Sequence, residues 1–180
     1  MPNSFERRSF GPTESRADAA VAIRELRGYA ALFNVQSANL GGPFELYESI
    51  APGAFDAVLA NDVRHLKNHD PNWVLGRTIP GTLRLSVDDR GLHTITDPPE
   101  TQWADDLLVS IRRRDISQMS FAFVVGEDSW RYDREKDVVY RTILKLSALY
   151  DVSTVTYPAY PDTSIVVAER TLQRAAEVRT

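Results

Sequence analysis

The patterning of the chain predicts a β-rich α+β fold, and three observations carry that expectation. Most apolar residues fall in short alternating or β-branched runs. Glycine and proline break those runs at short intervals. One stretch carries a strong helical stripe.

Residues 1–20 mix Ser, Arg, Glu, Pro and Gly without periodicity and read as a flexible N-terminal arm. Residues 23–33 partly alternate and suggest a strand. A turn at 39–43 precedes a short strand over 44–50. Pro52-Gly53 then breaks the chain ahead of a short helix expected at 54–60. Residues 63–69 read as a strand, with a turn behind it at Asp70-Pro71-Asn72.

The segments 82–87 and 92–96 alternate cleanly around Asp88-Asp89-Arg90-Gly91, which is a hairpin. A helix is expected over 103–114. Thr101 would cap it, Asp105 and Asp106 suit the positive end of its dipole and Arg112, Arg113 and Arg114 the negative end. Its stripe is Trp103, Leu107, Leu108 and Ile111. Residues 119–125 form an aromatic-rich strand, 129–136 a polar loop, 138–146 a strand, and 149–157 a β-branched strand ended by Pro158 and Pro161. The tail over 168–179 reads as a polar helix.

A length of 180 residues suits one domain. The formal charge of −4 argues against non-specific nucleic-acid binding, which needs a basic surface. With no cysteine there is no disulfide framework, thiol nucleophile or cysteine metal site. No run approaches the roughly 18 apolar residues of a membrane span, and the N-terminus lacks the apolar centre of a secretory signal.

Three histidines are the natural candidates for proton transfer. His93 lies within a hairpin strand with no acid on its face and reads as structural or exposed. His65 and His69 are four apart, a spacing that shares one side of a strand or helix. With Asp70 they could form a metal site, although the glutamate of a His-Glu-x-x-His pattern is missing and no further ligand is obvious. His69 instead closes a strand before a turn, where a ring can face a groove.

Ser120 sits in an apolar strand, sharing a face with the small Ala122. It reads either as a buried serine bonded to a neighbouring strand or as a nucleophile with room for a substrate carbonyl. Asp151 is an unusual acid in a β-branched strand, either a solvated end or a partner for a histidine. These are the residue types of a nucleophilic triad, but spacing alone does not assemble one.

Ordered blocks add a resemblance. They are Gly28-Tyr29-Ala30 with Phe33, Glu48-Ser49-Ile50-Ala51-Pro52-Gly53-Ala54-Phe55, Asn68-His69-Asp70, Val74-Leu75-Gly76-Arg77-Thr78, and Gly81-Thr82-Leu83 with Asp89, Gly91 and Leu92. Met119-Ser120-Phe121 and the closing block from Leu149 to Ala159 complete the set. Together they resemble the prohead maturation proteases of tailed bacteriophages of the HK97 type, over roughly residues 27–167.

The resemblance implies a fold related to the herpesvirus assembly proteases, a closed or partly open β-barrel with flanking helices. It implies a protease domain over 21–167, between the arm and a tail at 168–180. It places His69 on the catalytic histidine, Ser120 on the nucleophile and Asp151 on the acidic member, where the family more often has glutamate. Ala122 stands where glycine is common. Arg141 is a candidate contributor to an oxyanion site.

No cofactor is implied. The expected substrates are the scaffold segment of the major capsid protein and the protease itself, as a homo-oligomer inside the assembling prohead in the host cytoplasm. Two alternatives stand beside this: a non-catalytic capsid-assembly scaffold module, and a metal-dependent hydrolase using His65, His69 and Asp70.

Overall fold

The computed structural model describes residues 6–8, 24–40, 44–157 and 165–179. The elements in chain order are β1 (Glu6–Arg8), β2 (Leu26–Leu32), β3 (Glu45–Ile50), β4 (Arg64–Lys67), β5 (Asp70–Arg77), β6 (Leu83–Val87), β7 (Gly91–Thr96), α1 (Gln102–Arg112), β8 (Gln118–Asp133), β9 (Val138–Val155) and α2 (Ile165–Arg179). The rest of the expected arm, the Gly41-Gly42-Pro43 part of the first turn, and Pro158, Ala159 and Pro161 lie outside the described residues.

β9 organises the larger sheet. β8 runs antiparallel along one side of it, while two parallel strands share the other side: β3 along residues 138–143 and β4 along 151–154. β5 extends the sheet beyond β4, and β1 covers the free edge of β8. A smaller sheet has the order β2-β7-β6. Both sheets are open among the described residues, so of the closed or partly open barrel expected, the closed form is not present. The larger sheet ends at β1 and β5, and these edges do not pair with each other.

The main core lies between the sheets. Ala30, Ala31, Leu83 and Leu92 of the smaller one meet Phe121, Phe123, Ile143 and Val152 of the larger, with Ala54, Phe55 and Val58 filling the side. The 54–60 segment is a run of turns rather than the expected helix. Val58 N–H, for example, donates to the carbonyl of Phe55, three residues back, at 2.9 Å. Its apolar residues still face inward because Leu146 N–H bonds to the Ala54 carbonyl and ties the segment to β9.

The expected β6–β7 hairpin forms, its register running from Leu83 opposite Thr96 to Val87 opposite Leu92. Asp88 Oδ1 accepts from the backbone N–H groups of Arg90 and Gly91 and closes its loop. Gly91 is obligatory there: its φ is 155°, and a Cβ would lie 2.0 Å from the Ala31 carbonyl oxygen.

In α1, Leu107, Leu108 and Ile111 pack with Leu26 and Leu75 as the stripe required. Thr101 stands at the N-cap, but its side chain makes no cap bond; its backbone carbonyl accepts from Asp105 N–H instead. The helix ends at Arg112, with Arg114 already at φ 66°.

Residues 129–136 are not the loop their polarity suggested. β8 and β9 form one long antiparallel ribbon whose turn is confined to 134–137. Cross-strand pairs such as Trp130 opposite Arg141 hold this outer half, and bulges between Ala122 and Asp128 bend it. Three residues of the expected arm, Glu6–Arg8, form a strand on β8.

Candidate active site

His69 owes its position to a turn. β4 and β5 are joined by Asn68-His69, both left-handed with φ of 53° and 57°, the signature of a tight two-residue hairpin. The turn therefore precedes Asp70-Pro71-Asn72, which belongs to β5. Asp70 is occupied locally, accepting from the backbone N–H and side-chain Nδ2 of Asn72. A left-handed histidine is strained relative to glycine, and strain of this kind clusters at functional sites.

β9 holds the turn in place. Asn68 N–H donates to the Thr154 carbonyl at 2.9 Å, and His69 N–H donates to Ser153 Oγ at 3.2 Å. In the opposite direction across the sheet, Ser153 stands opposite Ser120 of β8. Asp151 lies two residues before Ser153 and so shares its face. The imidazole consequently reaches both neighbours: Nδ1 is 2.6 Å from Asp151 Oδ1 and Nε2 is 2.9 Å from Ser120 Oγ.

A carboxylate only accepts, so Nδ1 carries the hydrogen donated to Asp151, and Nε2 is left as the acceptor for the Ser120 hydroxyl. Asp151 is mid-strand and 6% exposed, which excludes the solvated strand end. Ser153, missed in the sequence reading, donates its hydroxyl to Asp151 Oδ1 at 2.7 Å. Its place two residues after Asp151 was the available signal. Ser120 is fully buried, and its hydroxyl also donates to the Arg8 backbone carbonyl of β1 at 2.9 Å, so that carbonyl and His69 Nε2 compete for its one hydrogen.

His65 does not share a side with His69, because the strand ends at Lys67 and the chain reverses between them. His65 faces the gap between the sheets, with Nδ1 2.7 Å from Thr96 Oγ1 and Nε2 2.9 Å from Thr154 Oγ1. Burial pushes its pKa down to about 4, against a smaller upward pull from the Asp151 charge. Both ring nitrogens are taken by hydroxyls, and among the described residues no three His, Cys, Asp or Glu side chains are grouped to hold a metal. His65, His69 and Asp70 are thus not brought together. His93 is half-buried, its ring against Tyr29 on the facing strand.

Arg141 has no nitrogen directed at Ser120. It donates to Asp128 Oδ2 at 2.7 Å, Glu48 Oε2 at 2.8 Å and Glu6 Oε2 at 3.1 Å. Burial works against its charge, but Glu48 and Glu6 outweigh that and raise its pKa above the ordinary guanidinium value.

A hydroxyl, an imidazole and a carboxylate linked in this order are the equipment of nucleophilic serine hydrolases as a class. The family comparison narrows the class: the chain matches the caudovirus prohead serine protease family over residues 12–177, and it belongs to that family. No curated protein and no solved structure matches it.

Proposed function

We propose that the chain is a serine endopeptidase that cleaves the scaffold segment of the major capsid protein, and itself, during prohead maturation. The observation that carries this is the unbroken line from Ser120 Oγ through His69 to Asp151, at 2.9 and 2.6 Å. His69 takes the Ser120 proton through Nε2 as the hydroxyl attacks a peptide carbonyl, and returns it to the leaving amine. Asp151 keeps the ring in the required tautomer and stabilises the imidazolium. Ser153 positions Asp151 through its hydroxyl.

No cofactor takes part. The protease unit is residues 21–167, a partly open relative of the herpesvirus assembly-protease barrel, with the arm and the 168–180 tail appended. It works as a homo-oligomer inside the assembling prohead in the host cytoplasm. No helix among the described residues is long and apolar enough to cross a membrane.

Co-expression with the capsid protein of the same phage tests the reading. Wild type should shorten the capsid protein, while Ser120→Ala and His69→Ala should leave it full length. Equal shortening by all three would overturn the proposal.

A further inference from the structure

The edge of β8 beside Ser120 is occupied by the chain's own N-terminal strand. Glu6, Arg7 and Arg8 stand opposite Phe123, Ala122 and Phe121, in antiparallel register. The strand thus runs toward Ser120, and its last carbonyl oxygen, that of Arg8, is 2.9 Å from Ser120 Oγ. In this bond the Ser120 hydroxyl donates and the carbonyl oxygen faces it, so attack at the Arg8 carbon requires the carbonyl to turn its oxygen away from Ser120. Strand addition to an open sheet edge is a general way of holding an extended peptide, with the backbone giving affinity and alternate side chains giving specificity.

The alternate side chains here are Glu6 and Arg8, two apart on one face. Arg8 Nε donates to Glu48 Oε1 at 2.8 Å, and its Nη2 donates to Glu6 Oε2 at 2.6 Å. Glu48 lies on β3 and is 0% exposed. Its second oxygen accepts from Arg141, which also binds Asp128 and Glu6.

Glu6 and Arg8 together are neutral. β1 contacts Glu48 and Arg141, and Arg141 in turn binds the partly exposed Asp128, a group with two negative charges against one positive. Removing the strand would take from Glu48 Oε1 the cationic donor it has there and leave this fully buried carboxylate on Arg141 alone, with one oxygen unsatisfied. The hole is therefore built for a cation, and the planar fork of arginine suits a carboxylate better than the point charge of lysine does.

We propose that Glu48 is the specificity residue for an arginine on the acyl side of the scissile bond, and that Glu6-Arg7-Arg8 is a cleavage sequence lying in its own active site. This rests on the serine-protease reading above. Ser120 Oγ bonds to the Arg8 carbonyl carbon while His69 takes its proton. The bond to the nitrogen of Ser9 breaks, and that nitrogen receives the proton. Water, deprotonated by His69, then attacks the ester, releasing residues 1–8 with a free Arg8 carboxylate and restoring Ser120. The segment is thus both the first substrate and, until cut, a plug on the edge that later substrates need.

The test uses the full chain, followed by intact mass and N-terminal sequencing, and two peptides offered in trans: acetyl-Glu-Arg-Arg-aminocoumarin and acetyl-Glu-Arg-Gln-aminocoumarin. Wild type should lose residues 1–8 and begin at Ser9, whereas Ser120→Ala keeps them. Arg8→Ala should slow the cut at that bond by about 100-fold, and the arginine peptide should be cleaved about 100-fold faster than the glutamine one.

Glu48→Gln should lower that preference, read only if its thermal melt shows a folded chain; the peptide pair on wild type stands without it. Equal rates on the two peptides would overturn the inference. So would processing at another bond in the arm, or retention of residues 1–8 by a chain whose Ser120 reacts with a fluorophosphonate. In those cases the protease reading stands. A chain that neither reacts at Ser120 nor cleaves capsid protein would overturn both.

Discussion

His65 and His69 are four residues apart and end in opposite chemical situations. His65 is sealed between the sheets, with both ring nitrogens on threonine hydroxyls and its pKa held at about 4. His69 lies beyond the end of the same strand, on a left-handed turn, with a carboxylate on one nitrogen and a serine hydroxyl on the other. The difference lies in the strand face. Thr154 of β9 points to His65, while Ser153 and Asp151 point to His69, so alternation along a single strand supplies one histidine with neutral partners and the other with an acid. A buried imidazole between hydroxyls is a structural tie; an imidazole between an acid and a hydroxyl can move a proton.

Substitutions should separate the two histidines sharply. The largest effects belong to His69→Ala and Ser120→Ala, each expected to lower the rate of capsid cleavage by about 10⁴- to 10⁶-fold with an unchanged melting curve. Asp151→Asn keeps the shape but no longer fixes the His69 tautomer. A loss of about 10³- to 10⁴-fold in kcat is expected. Ser153→Ala removes one donor to Asp151 and should cost about tenfold in the same assay.

His65→Leu should behave in the reverse way. It leaves the Thr96 and Thr154 hydroxyls without their ring partner and should destabilise the fold by about 3 kcal/mol in urea unfolding. The surviving folded molecules should cleave within about threefold of wild type.

The same contrast has a pH form. His65 has a folded pKa of about 4, below its unfolded value of 6.5. Between those values the unfolded chain binds the extra proton. Its contribution is therefore fully present above pH 6.5 and is lost as pH falls toward 4, amounting to on the order of 3 kcal/mol. Urea melts at pH 7 and pH 4.5 should show this loss in wild type and a smaller one in His65→Leu.

Legibility in the sequence followed the range of the interactions. The β6–β7 hairpin and the stripe of α1 could be read because alternation and helical spacing are local. The β8–β9 ribbon does not show as one unit in the sequence because its outer half is polar and held by cross-strand pairs such as Trp130 with Arg141. Glu6–Arg8 has no strand pattern of its own; its register comes from β8, more than a hundred residues away.

Composition favours a turn at Asp70-Pro71-Asn72, whereas Asn68-His69 adopts it against the usual preference for glycine, a departure expected where a site dictates the backbone. Residues 69, 120 and 151 came from the family blocks. Their distances depend on β4 and β8 flanking β9, which no spacing along the chain encodes. Ser153 and Glu48 were overlooked as participants for the same reason.

The most direct test of the central claim is to map the site of reaction with a fluorophosphonate on chain that is actively shortening capsid protein. The account requires one adduct, on Ser120, absent in His69→Ala and present in His65→Leu. An adduct on another residue, or continued capsid cleavage with Ser120 unmodified, would contradict it.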